Sequence, residues 1–170
     1  MRTIFNFLGP LTNPARASRQ VIGLSDGRFL EVMAAALARL GARKAMVVSS
    51  DDGLDELSTS APTRVVEVDE GELRSYEVAP EDVGLRRADY EEVVGGTPHA
   101  NADTTRRIFA GEPGPRRDLA ALNAGAAIYV AGRAASLEEG VRAAEEALDG
   151  GSAARALDAL VHVTGKLAAS

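Results

Sequence analysis

Between Gln20 and Val48 the chain reads strand, helix, strand, and that order restricts its fold more than any other stretch. From Arg28 to Leu40 the apolar residues Phe29, Leu30, Val32, Met33, Leu37 and Leu40 recur at helical spacing among alanines, and Gly41 is placed to end the helix. Ahead of it, Gln20 to Leu24 reads as a brief buried strand, and Ser25-Asp26-Gly27 supplies a turn with a helix-capping signal. Lys44 to Val48 follows as a second strand through the apolar run Ala45-Met46-Val47-Val48. Two strands joined by a helix pair in parallel through a right-handed crossover, and a ligand site is expected past the carboxyl end of such a strand.

The rest of the chain fits an α/β reading. Thr63 to Asp69 and Leu73 to Val78 read as strands joined at Glu70-Gly71, with alternation in Val66, Val68 and Leu73 that suits a hairpin or a pair of antiparallel edge strands. Helical patterns then run over Ala100 to Ala110, Asp118 to Ala131, Leu137 to Leu148 and Ala153 to Leu167, punctuated by Gly111-Glu112-Pro113-Gly114-Pro115, Gly132 and Gly150-Gly151. Ser136 followed by Glu139 has the form of a capping box. Near the start, the apolar cluster Ile4, Phe5, Phe7 and Leu8 is ended by Gly9-Pro10-Leu11-Thr12-Asn13-Pro14, where two prolines argue for a helix end followed by an ordered loop. With no internal repeat or low-complexity linker, residues 1–170 are expected to form a single α/β domain. Its sheet is expected to be mixed, largely parallel and flanked by helices.

Composition narrows the function classes. A chain of 170 residues that is 45% hydrophobic can bury a sizeable core, and with 4% aromatic residues and no Trp that core must come largely from Ala, Val, Leu and Ile. The net charge of -6 argues against nucleic acid or anionic lipid as a partner, while a single phosphorylated metabolite can still be held locally. The absence of Cys rules out disulfides and thiolate catalysis and fits a reducing cytosol. No apolar run approaches the ~20 residues that span a bilayer, so the expected location is cytoplasmic.

The segment past the second strand holds the candidate chemistry. Asp51, Asp52, Asp55 and Glu56 crowd one polar loop, where their mutual repulsion is relieved either by a hard divalent cation or by a solvated surface. Magnesium takes one or two protein carboxylates together with phosphate oxygens and water, which suits a short acidic loop; a solvated acidic turn is the alternative. Gly95-Gly96-Thr97-Pro98 lacks the spacing of a phosphate loop and reads as a plain turn. His99 and His162 stand without the partners of a triad, and Arg106-Arg107 and Arg116-Arg117 read as solvated cations. No residue is assigned a catalytic role.

Arg2-Thr3-Ile4-Phe5-Asn6-Phe7-Leu8-Gly9-Pro10-Leu11-Thr12-Asn13-Pro14 closely resembles the segment by which anthranilate phosphoribosyltransferases are recognised. Asp52-Gly53-Leu54-Asp55-Glu56 resembles the same family's metal-associated loop, although Ser49-Ser50 stand where the family often has His-Gly. Leu122-Asn123-Ala124 with Ala126-Ala127, and Glu139-Gly140 with Ala143-Ala144, resemble later helices of the family. The resemblance runs from Arg2 nearly to the end, in the family's order. It implies the C-terminal part of the nucleoside phosphorylase and phosphoribosyltransferase type of α/β domain.

Members of that family transfer the phosphoribosyl group of phosphoribosyl pyrophosphate to anthranilate in tryptophan biosynthesis, using magnesium. The resemblance implies that Asp55 and Glu56 hold Mg2+ near the pyrophosphate and that Gly9 and Pro10 line the anthranilate channel; Arg2 is given a structural role, packing or hydrogen bonding, and not a part in binding anthranilate. Family members also carry, ahead of this stretch, a small helical domain that makes most of their homodimer, a Gly-Thr-Gly-Gly-Asp loop and a Lys-His-Gly-Asn stretch. The 170-residue chain alone is therefore expected to be a truncated domain with negligible transferase activity, exposing apolar surface around Ile4 to Leu8. The alternatives are a pyrimidine nucleoside phosphorylase-like enzyme, against which the Arg2 to Pro14 segment counts, and a non-catalytic metal-binding or packing domain.

Overall fold

The computed structural model describes residues 5–168, with side chains from residue 8 onward. Arg2, Ile4 and the side chains of Phe5 and Phe7 lie outside that range, and the expectations placed on them with it. Helix α1 spans Phe5–Leu11 and passes through Pro10. It thus runs two residues beyond the Gly9 at which the sequence suggested an end. The last turn tolerates the proline because only one backbone donor is lost there, and Thr12 closes the helix by donating both its N–H and its hydroxyl to the Leu8 carbonyl.

Strand β1, Arg19–Gly23, leads through the Asp26-capped 3-10 turn Gly27–Phe29 into helix α2, Leu30–Arg39. Gly41 takes a positive φ of 85°, and the Ala42 N–H reaches back to the Leu37 carbonyl, so the chain turns sharply into β2, Lys44–Ser50. β1 and β2 pair in parallel. β3, Thr63–Asp69, and β4, Glu72–Val78, complete the sheet in the order β1-β2-β3-β4, each antiparallel to its predecessor. Glu70 and Gly71 both adopt positive φ, the conformation a two-residue hairpin requires. The expected mixed sheet is present, but one of its three pairings is parallel, so "largely parallel" does not describe these four strands. The two antiparallel pairings come from β3 and β4, which follow β2 without a helical crossover.

After a 3-10 turn at Pro80–Val83, the described residues form five further helices: α3 Tyr90–Val93, α4 Pro98–Phe109, α5 Pro115–Val130, α6 Leu137–Asp149 and α7 Ser152–Ala168. The four long ones lie where the sequence periodicity placed them. Short α3 was not legible, because four residues carry too little periodicity to register. The box at the start of α6 forms with a shift: Ser136 Oγ accepts from the Glu139 N–H, while the Glu139 carboxylate accepts from Ala135 N–H instead of Ser136.

Alternation along β2 explains the layering. Ala45 and Val47 join Ile22, Met33, Leu37, Val66 and Val68 beneath α2, whereas Met46 and Val48 join Val65, Leu122, Ala126 and Val130 beneath α5. Both faces of the strand are covered, which is why its sequence is a continuous apolar run. Leu73, opposite Val68 on the edge strand, stays about half exposed despite sharing the buried pattern. A third cluster of Ile108, Ala121, Ala144 and Leu148 ties α4, α5 and α6 together. There α5 and α6 meet at glycines: a β-carbon on Gly140 would run into the Gly125 carbonyl, and one on Gly125 into the Val141 backbone. Among the described residues no helix is long and apolar enough to cross a membrane.

Candidate functional site

The acidic loop begins where β2 leaves the core. Ser49 and Ser50 are buried, the Asp51 N–H donates to the Pro62 carbonyl, and the Gly53 N–H donates to Ser50 with a φ of 91° that a β-carbon would strain. Beyond this turn the chain is pinned from three sides. Leu57 is fully buried in the core under α5. Its N–H donates to Asn123 Oδ1 at 3.0 Å and its carbonyl accepts from Asn123 Nδ2 at 2.8 Å. Gly23, the last residue of β1, lies so close to the Asp55 carbonyl that no side chain fits between them.

The four carboxylates separate into two kinds. Asp51 forms an exposed ion pair with Arg64 at 3.4 Å. Asp52 is turned into the loop, where Oδ2 accepts from the Ser58 hydroxyl at 2.5 Å and Oδ1 from the Leu54 N–H at 3.1 Å. Burial pushes the Asp52 carboxyl up, but hydrogen bonds from Ser58, Ser50 and Leu54 outweigh it and hold the group below the ordinary carboxylate range. Among the described residues, the carboxylates of Asp55 and Glu56 have no ion-pair or hydrogen-bond partner. Asp55 is exposed. Glu56 is half-buried, and burial followed by the charges of Asp55 and Asp52 raises it above its ordinary value. A cation beside this pair would reverse that penalty. Just downstream, the buried hydroxyls of Thr59 and Ser60 also lack a hydrogen-bond partner among the described residues.

No group of three or more His, Asp or Glu side chains is arranged to hold a metal among the described residues. Two adjacent hard carboxylates nevertheless suit magnesium, which completes its shell with water and phosphate oxygens.

The other candidates lie elsewhere. Pro10 lines a cavity of about 390 Å³ with Leu11, Asn13, Arg16, Gln20 and Gly41, around the amino ends of β1 and β2. Gly9 is exposed with open space around it. The Asp55 carbonyl meets Gly23 at the carboxyl end of β1, and neither Asp55 nor Glu56 lines the cavity at Pro10, so the described residues do not bring Gly9 and Pro10 together with Asp55 and Glu56. The Gly95-Gly96 segment turns inward: the Gly96 N–H donates to Asn101, and Thr97 caps α4. His99 and His162 are exposed. Arg106 pairs with Asp103 and Arg107 with Glu112. Arg116 and Arg117 are not the solvated cations expected: Arg116 donates to the Glu92 and Val94 carbonyls, and Arg117, with its side chain 12% exposed, pairs with Asp149 at 2.7 Å. Both stitch α5 to neighbouring segments.

Residues 1–154 match the family described as glycosyl transferase family, a/b domain. The chain belongs to this glycosyl transferase family. Its relatives include the anthranilate phosphoribosyltransferase of Rubrobacter xylanophilus, 50% identical over 168 residues, which covers 98% of this chain and 49% of the relative. That of Syntrophobacter fumaroxidans is 51% identical over 164 residues, covering 96% and 49%. This glycosyl transferase a/b domain also superposes on the crystal structure of anthranilate phosphoribosyltransferase from Thermus thermophilus, with a TM-score of 0.87, 47% identity and coverage of 95% of this chain and 48% of that one. The Saccharomyces cerevisiae enzyme in complex with PRPP and Mg gives a TM-score of 0.82 at 25% identity, covering 93% and 46%. The chain therefore spans about half the length of the relatives it matches.

Sequence reasoning found the acidic loop and missed what holds it. Asn123 was noticed only within Leu122-Asn123-Ala124, and nothing in the sequence joins it to a residue 66 positions earlier. Gly23 carried no signal beyond a glycine at a strand end.

Proposed function

We propose that this domain contributes the pyrophosphate side of a phosphoribosyl transfer site acting on anthranilate and phosphoribosyl pyrophosphate in tryptophan biosynthesis, in the cytoplasm and within a homodimer. One observation carries the reading: of four clustered carboxylates, Asp55 and Glu56 alone are left without a partner among the described residues, on a loop whose backbone is held on both sides. The relatives' activity and the PRPP and Mg complex of the yeast enzyme support it.

In such a transfer the bond from the ribose carbon to pyrophosphate breaks as the amine nitrogen of anthranilate approaches, so negative charge grows on the departing oxygens. Bound magnesium supplies electrostatic neutralisation of that charge. Asp55 and Glu56 would hold the ion there. Neither is given a proton to move, and both act as ionised oxygen donors. Asp52, locked to Ser58 and the Leu54 N–H, gives the loop its shape instead of a ligand. Gly9 and Pro10 are assigned to the anthranilate side, which takes its form with surfaces other than the acidic loop.

A magnesium titration in the presence of inorganic pyrophosphate, followed by backbone amide shifts of the loop, tests the assignment. Replacing Asp55 and Glu56 with alanine should abolish the response, whereas Asp51→Ala, which only frees Arg64, should preserve it. An unchanged titration in the double variant would return the loop to a solvated acidic turn.

A further inference from the structure

We infer that Asn123 is a positioning residue for the magnesium-binding carboxylates: from α5 it sets the backbone from which Glu56 projects, without touching metal or substrate. The inference rests on the magnesium reading of Asp55 and Glu56 given above.

The geometry uses both donors of the side-chain amide and its carbonyl oxygen. Oδ1 accepts from the Leu57 N–H, Nδ2 donates to the Leu57 carbonyl, and Nδ2 also donates to the Leu119 carbonyl one turn back at 3.1 Å. The last bond fixes the rotamer, and the first two grip one peptide unit on each side of Leu57. Glu56 therefore stands between two immobilised points, the Asp55 carbonyl against Gly23 and the Leu57 backbone against Asn123. Leu57 itself is fully buried, and the clamp acts on the backbone on either side of it. What it adds is the rotation of the adjoining peptide planes, and hence the direction in which Asp55 and Glu56 leave the chain. Magnesium tolerates little departure from octahedral geometry, so a ligand backbone free to rotate binds it poorly. Loss of groups that orient metal ligands costs about 10- to 100-fold in affinity.

Asparagine is the residue type that satisfies this arrangement. Aspartate has nearly the same shape but no donor for the Leu57 and Leu119 carbonyls, and glutamine places its amide one methylene too far out.

The test compares the parent chain with Asn123→Ala and Asn123→Asp, by magnesium titration in the presence of inorganic pyrophosphate and by hydrogen exchange of the Leu57 amide. Asn123→Ala is expected to speed exchange at Leu57, whereas Asn123→Asp, which still accepts from the Leu57 N–H, is not; both are expected to weaken apparent magnesium affinity at least about tenfold, at temperatures where the far-UV spectrum matches the parent. Asn123→Asp is the sharper variant: its added negative charge would by itself favour a cation, so weaker binding assigns the effect to geometry. It also serves where alanine at 123 prevents folding. A variant that remains folded and binds magnesium as the parent does would overturn the inference. If instead the double Asp55→Ala, Glu56→Ala variant titrates like the parent, the magnesium reading itself has failed and the inference falls with it. The two failures are distinguished by which variant keeps the parent's response.

Discussion

Gly23 lies directly against the Asp55 carbonyl, so that a β-carbon at position 23 would occupy the space of that oxygen. The carboxyl end of β1 and the acidic loop are thus in contact through backbone alone, and the obstacle to any side chain is backbone that cannot swing aside. Gly23→Ala should cost about 1–3 kcal/mol by overpacking and should shift the amide resonances of Asp55 and Glu56. Urea unfolding together with an amide spectrum checks both. A stable variant with an unshifted loop would show that the approach is looser than this.

Gly140 at the α5–α6 contact and Gly165 in α7 make a matched pair of helical glycines. A methyl at Gly140 meets the Gly125 carbonyl, whereas one at Gly165, in the exposed helix α7, meets nothing within 4 Å. Gly140→Ala is expected to destabilise by about 1–3 kcal/mol. Gly165→Ala should stabilise by up to about 1 kcal/mol, because alanine restricts the unfolded chain and favours helix. Equal effects from the two would rule out a helix contact set by backbone approach.

Ser58 links the loop's own ends. Its hydroxyl donates to Asp52 and accepts from the Ser60 N–H, at 2.5 and 2.8 Å. Ser58→Ala should cost about 1.5–3 kcal/mol, as expected for a hydrogen bond to a charged group, and should raise the Asp52 carboxyl toward its ordinary value. Chemical denaturation and a carboxyl titration by NMR measure the two effects separately.

Beneath α5, Glu67 accepts from the Tyr76 hydroxyl at 2.9 Å and the Tyr129 hydroxyl at 2.8 Å, while the Lys44 ammonium lies 3.4 Å from its carboxylate and over the Tyr129 ring. Burial, then the Glu67 charge and hydrogen bond, push the Tyr76 phenol well above its ordinary range; burial and Glu67 also raise Tyr129, against the opposing effect of Lys44. In the unfolded chain both phenols ionise near pH ~10. Above that pH the folded state binds more protons than the unfolded state, so stability falls as pH rises. The contribution is complete below about pH 10 and is lost as the pH climbs toward the folded values. Unfolding measured from about pH 8 to about pH 11 should show this decline, and Tyr76→Phe should make it shallower. Identical slopes in parent and variant would refute the linkage.

The path of the chain was legible because its signals are local. Helical spacing from Phe29 to Leu37, the continuous apolar run of β2, the Glu70-Gly71 turn and the glycine at position 41 each act within a few residues, so the sequence by itself determined the β1-α2-β2 crossover, the hairpin and the four long helices. It also placed an acidic loop at the end of β2. Local patterning did not show that Pro10 would be absorbed into α1, since one missing donor near a helix end is a small cost beside the packing of a whole turn.

What only the tertiary structure decided is which acidic groups are spent and which are free. Arg64 takes Asp51 and the Ser58 hydroxyl takes Asp52, leaving Asp55 and Glu56 unpaired among the described residues, and the backbone that carries those two is held by Gly23 and by Asn123 from a distant helix. A count of charges cannot reveal this. Hydrogen bonds and ion pairs act only at contact distance, and contacts between residues far apart in the chain exist only once the layers have packed.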